Sequence, residues 1–127
     1  MRFAQDTFAI NSIRDYGRGQ IVLGDRIVTR SVIITPDAVI EDWPPQSMAD
    51  LTATHLQQLG DLQPEIVLLG TGADLQFPPP ETGIGLQAAG IGLEIMATDA
   101  ACRTFNILLA EERRVVAAQM MIQGHFD

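Results

Sequence analysis

Glu65-Ile66-Val67-Leu68-Leu69-Gly70-Thr71-Gly72 is the stretch whose reading sets the fold class. Four consecutive apolar residues, 66–69, show no polar alternation. A short run of that kind, ending at glycine, reads as a strand buried on both faces. Gly70-Thr71-Gly72 turns the run into a loop, and Phe77-Pro78-Pro79-Pro80 prevents an immediate helix, because proline lacks the amide donor that a helix interior needs.

Downstream of that strand, a short helix is expected over residues 81–90. Gly83 and Gly85 each weaken it by about 1 kcal/mol relative to alanine. Residues 93–96 read as a second short strand. Thr98 reads as the N-cap of the best helix, residues 99–110, with Asp99 well placed against the helix dipole. Residues 113–122 read as a last strand. Upstream, Ser47 reads as an N-cap with a weak capping box to Asp50, and Met48, Leu51, Leu56 and Leu59 fall near one helical face. Gly60 then stands where a helix would stop. Helices alternating with strands favour a largely parallel sheet.

The first third reads as an antiparallel meander. Residues 8–14 and 20–23 form strands separated by Gly17-Arg18-Gly19. Gly24-Asp25 predicts a two-residue hairpin, since glycine supplies the positive φ such turns need. Residues 26–34 read as one long strand with apolar side chains on both faces: Val28, Val32 and Ile34 on one, Ile27 and Ile33 on the other. The expectation is an α/β fold in a single three-layer domain over residues 1–127. Its mixed, mostly parallel sheet is flanked by helices and preceded by an N-terminal antiparallel β meander.

Charge and composition narrow the function. Sixteen acidic residues oppose eight basic ones, all arginine, for a net charge of −8. The average field repels phosphate backbones and anionic lipid, so no nucleic-acid partner is expected. Cys102 is the single cysteine, which rules out an intrachain disulfide and fits a reducing, cytoplasmic setting. No apolar run approaches the roughly 20 residues that span a bilayer, and the first residues lack an apolar signal core. Direct membrane insertion is not expected.

The chain carries little overt catalytic chemistry. His55 and His125 lie far apart and have no cysteine at zinc-ligand spacing, so neither a metal nor a cofactor is expected. There is no Gly-x-Ser-x-Gly elbow. Cys102, beside Ala100, Ala101 and Phe105, reads as a small buried hydrophobe. Gly70-Thr71-Gly72 follows a strand, where open α/β sheets bind ligands, yet no lysine follows it and a phosphate-loop fingerprint is absent. Asp99, Arg103 and Asn106 sit three or four positions apart on one helix and form a polar stripe. Such a stripe binds a small anion or a partner's backbone, or it is a surface ion pair. Glu94, on the preceding strand, joins the candidates, as it or Glu111 would be a partner for Arg103.

Thr98-Asp99-Ala100-Ala101-Cys102-Arg103-Thr104-Phe105-Asn106-Ile107-Leu108-Leu109-Ala110-Glu111 resembles the signature segment of an uncharacterised bacterial family related to the mitochondrial respiratory complex I assembly factor 3. Ser31-Val32-Ile33-Ile34-Thr35-Pro36, Trp43, the Gly70-Thr71-Gly72 strand end and residues 90–96 extend the resemblance. Asp99 replaces the family's usual glycine, and Phe105 its usual tyrosine. The resemblance implies a compact three-layer α/β fold, no established catalysis, and a protein-interaction or assembly-factor-like role with an unidentified protein partner. The alternative is a small-molecule or anion-binding domain, an unrecognised enzyme included, at Gly70–Gly72 with Arg103 and Asn106. Self-association into a homo-oligomer through the Trp43-Pro44-Pro45 loop is a third expectation.

Overall fold

The computed structural model describes residues 11–123. Residues 8–10 of the expected first strand, and His125, lie outside the described residues.

The apolar run of residues 66–69 forms β6 (Ile66–Gly70) and alternates as its burial on two faces requires. Leu68 enters one core and Val67 and Leu69 the other, all fully buried. Around it a five-stranded sheet assembles in the order β5-β4-β8-β6-β7. Its other members are β4 (Val32–Ile34), β5 (Val39–Glu41), β7 (Gly92–Met96) and β8 (Val115–Gln119). β6 is parallel to both β7 and β8, while β4 is antiparallel to both of its neighbours. Four strands therefore share one direction and β4 alone opposes them.

The meander is a separate antiparallel sheet of β1 (Ile13–Gly17), β2 (Gln20–Leu23) and β3 (Arg26–Val28). Gly24-Asp25 makes the expected two-residue connection, with Leu23 paired to Arg26. The long strand expected over residues 26–34 is broken at 29–31, where the chain leaves one sheet and enters the other. The backbone at this corner bonds to a loop and not to a ladder: Trp43 N donates to Ser31 O (3.0 Å) and Ser31 N to Gln46 Oε1 (3.1 Å). Apolar residues on both faces of a nine-residue run thus reflect two short strands in two sheets.

Among the described residues three helices complete the layers: α1 (Ala53–Leu59), α2 (Ile84–Ala88) and α3 (Thr98–Ala110). The first begins later than expected. Residues 48–50 make only a 3-10 turn, and Ser47 offers no side-chain cap. Thr52 caps α1 instead, in a full capping box with His55. That box satisfies two orphan amides reciprocally, which Ser47 and Asp50 do not achieve. The glycine-weakened segment is helical only over α2, behind a 3-10 turn at Pro80–Gly83.

α3 and the meander cover one face of the large sheet, with Phe105, Leu109, Cys102, Ile21 and Leu23 packed on Leu68 and Ala117. α1 and α2 cover the other, with Leu56, Leu59, Leu86 and Trp43 on Val67, Leu69 and Ala118. This is the expected three-layer arrangement.

Gly70 is where the sheet is tightest. A methyl group there would overlap the Gln119 side-chain oxygen and lie 2.9 Å from Thr98 Oγ1. Gly70→Ala is expected to cost about 2 kcal/mol in urea unfolding, as overpacking does. Gly17→Ala, where a Cβ meets nothing within 4 Å, should stay within about 0.5 kcal/mol of the parent.

Candidate functional site

α3 carries the polar stripe, and the structure divides it. Asp99 and Arg103 stand at the surface, with side chains 48% and 57% exposed. Arg103 Nη1 donates to the Tyr16 hydroxyl at 2.8 Å and lies 3.8 Å from Asp99 Oδ2. The Tyr16 hydrogen bond, assisted by the charge of Asp99, holds the guanidinium protonated even above its ordinary range. The surface pair with Asp99 is the one that the spacing allows; Tyr16 takes the place of Glu94 and Glu111, the other partners expected from the sequence. Glu94 lies exposed on β7.

Asn106 faces inward. Its Oδ1 accepts from Ile13 N at 2.7 Å, and its Nδ2 donates to Ile13 O at 2.8 Å. The amide satisfies both backbone groups of one β1 residue, as a neighbouring strand would. It anchors the meander to α3, and the anchored β1 then carries Tyr16 to Arg103.

The loop after β6 is held by the start of α3. Gly72 N donates to Thr98 Oγ1 (2.8 Å), Thr98 N donates to Gly72 O (2.9 Å), and Thr98 Oγ1 donates to Met120 O (2.7 Å). Thr98 is therefore inside the helix and does not cap it; Ala97 holds the N-cap position. Thr71 folds its hydroxyl onto Asp74 O (2.6 Å) while accepting from Gln76 N (3.2 Å). Gly72 sits at φ +96°, a conformation that favours glycine.

A shallow cavity of about 140 Å³ opens beside Thr71 and Gly72, bordered by Gln46, Met48, Met120 and Gln123. It lies at the carboxyl end of β6, where such sheets bind ligands. Asp99, Arg103 and Asn106 do not line it. The glycine loop and the α3 stripe are thus two places and not one pocket. A larger cleft of about 290 Å³ lies at the other end of β8, between the 35–38 turn and Arg114.

Cys102 is fully buried, and burial first, then the charge of Asp99, pushes its thiol up to about 12. A group held so high supplies no thiolate near neutrality. His55 is occupied in the α1 capping box. Among the described residues no group of three or more metal-binding side chains gathers, and no helix is long and apolar enough to cross a membrane.

The architecture, a meander and an α3 packed on one face of a mixed sheet, recurs in solved structures. A crystal structure of a Bordetella parapertussis protein is 41% identical, with a TM-score of 0.83, and covers 89% of this chain and 97% of that one. The family model described as a protein of unknown function (DUF498/DUF598) matches residues 13–120. The chain belongs to that family. A protein of Francisella tularensis named a 13 kDa major membrane protein is 30% identical over 103 residues, covering 80% of this chain and 84% of that protein. The NADH dehydrogenase (ubiquinone) 1 alpha subcomplex assembly factor 3 of Xenopus tropicalis is 31% identical over 123 residues. That alignment covers 94% of this chain, and the chain spans 66% of the factor's length.

The division of the stripe predicts unequal losses of stability at two positions. Asn106→Ala should destabilise the fold by about 2 kcal/mol, since it strands two partly buried backbone groups. Hydrogen exchange should quicken at the Ile13 amide. Arg103→Ala, at an exposed pair, should cost less than about 1 kcal/mol. Iodoacetamide at pH 8 should leave Cys102 unmodified in the native protein and alkylate it in urea.

Proposed function

We propose that this chain is a non-catalytic protein-interaction module of the assembly-factor type, and that its contact is centred on Arg103. The observation that carries the proposal is an outward guanidinium held in place by its own fold. Tyr16 and Asp99 fix Arg103 from two sides while leaving its side chain more than half exposed. Arginine is favoured at the energetic centres of interfaces, and a side chain already held in position loses little entropy on binding.

The surroundings suit a protein partner. Ile107, one helical turn beyond Arg103 on the same ridge, is 59% exposed. An apolar residue beside a fixed charge gives a contact both area and direction. Asn106 acts from behind the surface by fixing the meander that carries Tyr16. Gly70 and Gly72 serve the same end by seating α3 on the sheet through Thr98. Asp99 belongs to the contact, as the acidic side of an Arg103 fork.

The relatives support this reading. One is named an assembly factor of a respiratory complex and another a membrane protein. A water-facing module that works on a membrane-bound partner agrees with both names. We place the chain in the cytoplasm, attached to membranes through such a partner rather than by insertion.

An affinity-tagged chain isolated gently from native extract should bring down a protein partner in stoichiometric amount. Arg103→Ala should cut recovery at least tenfold, since interface centres exceed about 1.4 kcal/mol. Its thermal midpoint should remain close to the parent's. Equal recovery by parent and variant, or a chain that light scattering shows alone or only self-associated, would overturn the proposal.

A further inference from the structure

β7 closes the large sheet on one side, and no strand follows it there among the described residues. Its hydrogen-bond register fixes which backbone groups face outward. Gly92 N donates to Glu65 O at 3.1 Å, and Met96 O accepts from Thr71 N at 2.9 Å. Both ends of the strand therefore point toward β6. Backbone groups alternate in direction along a strand, so the N–H and C=O of Leu93 and Ile95 point to the open side. Two donors and two acceptors at strand spacing form a template for one more strand.

The side chains on this edge differ between its two faces. Leu93 and Ile95 pack on the α1–α2 side. There a cleft of about 330 Å³ adjoins the strand, lined by Pro80, Gly83, Gln87, Ile91 and Leu93. Glu94 projects on the opposite face and is exposed. Self-pairing of two copies in the register centred on β7 would set Glu94 against Glu94 at the closest cross-strand spacing, which like charges oppose. A basic residue in that position is attracted instead.

We infer that β7 is a strand-addition site for an extended segment of a partner protein. That segment carries a lysine or arginine opposite Glu94 and an apolar side chain next to it that enters the Leu93 cleft. Main-chain bonds to Leu93 and Ile95 supply affinity, while the alternating side chains supply selectivity. This inference rests on the reading of the chain as an interaction module, but it uses a surface distinct from Arg103.

The experiment pans a random twelve-residue peptide library on phage against the full chain, then titrates the strongest peptide into 15N-labelled protein. Peptides of alternating β-branched and basic residues should be enriched, and they should protect the Leu93 and Ile95 amides from exchange. Glu94→Lys should weaken that peptide roughly fivefold to tenfold and turn a second selection toward acidic peptides. Ile95→Pro removes an outward donor and no bond to β6, so it should abolish binding while the spectrum remains folded. Glu94→Lys carries the test alone if that proline variant does not fold. Peptides without basic residues, binding indifferent to Glu94→Lys, shifts confined to other surfaces, or no enrichment would each overturn the inference. Arg103→Ala should leave the peptide bound, so failure of the Arg103 contact and failure of the β7 edge are told apart.

Discussion

The hydroxyl of Thr98 joins three elements that share no sequence neighbourhood. It accepts from Gly72 N and donates to Met120 O, with both bonds inside the protein. The end of β6, the end of β8 and the first turn of α3 are thereby fixed to one another. Everything on the α3 side of the sheet depends on that seating. It sets Phe105 and Leu109 over Leu68 and Ala117, and it puts Asn106 within reach of Ile13. The lack of a side chain at Gly70 leaves the room: Gln119 and Thr98 occupy the space a methyl group would need. A buried hydroxyl with both its donor and acceptor roles used contributes stability, whereas the same groups left unpaired would cost about 1–3 kcal/mol each.

The parts of the fold written locally were legible in the sequence. The β6 run, the Gly24-Asp25 hairpin and the long helix each carry their signal within a few residues, as periodicity, turn chemistry and propensity do. Two of the misreadings arose where a distant partner decided the outcome. Thr98 looks like a cap because threonine before a helix usually is one, but its hydroxyl is claimed by residues 22 and 26 positions away. The run over 26–34 looks like one strand because its apolar residues continue. The loop at 43–46 takes the backbone at Ser31 and parts it.

The candidate site follows the same division. Asp99 and Arg103 are one turn apart, so their pairing was readable from spacing. Tyr16 lies 87 positions before Arg103, and Ile13 lies 93 before Asn106. No pattern within the helix shows that one member of the stripe looks outward and another inward. The meander settles it, since it is the element that lies against α3. The sequence-level suggestion of one continuous site therefore becomes an anchor, Asn106, behind a contact, Arg103. The open edge of β7 was equally hidden, because strand order is a property of the assembled sheet.

The most direct test of the account is replacement of Thr98 by valine, which keeps the shape and removes the hydroxyl, with serine as control. Unfolding in urea should show a loss of about 2 kcal/mol for Thr98→Val and much less for Thr98→Ser. Native-state exchange at the Gly72 amide should quicken in the valine variant alone. A valine variant as stable as the parent, with Gly72 exchange unchanged, would contradict the claim that this buried hydroxyl seats α3 on the sheet.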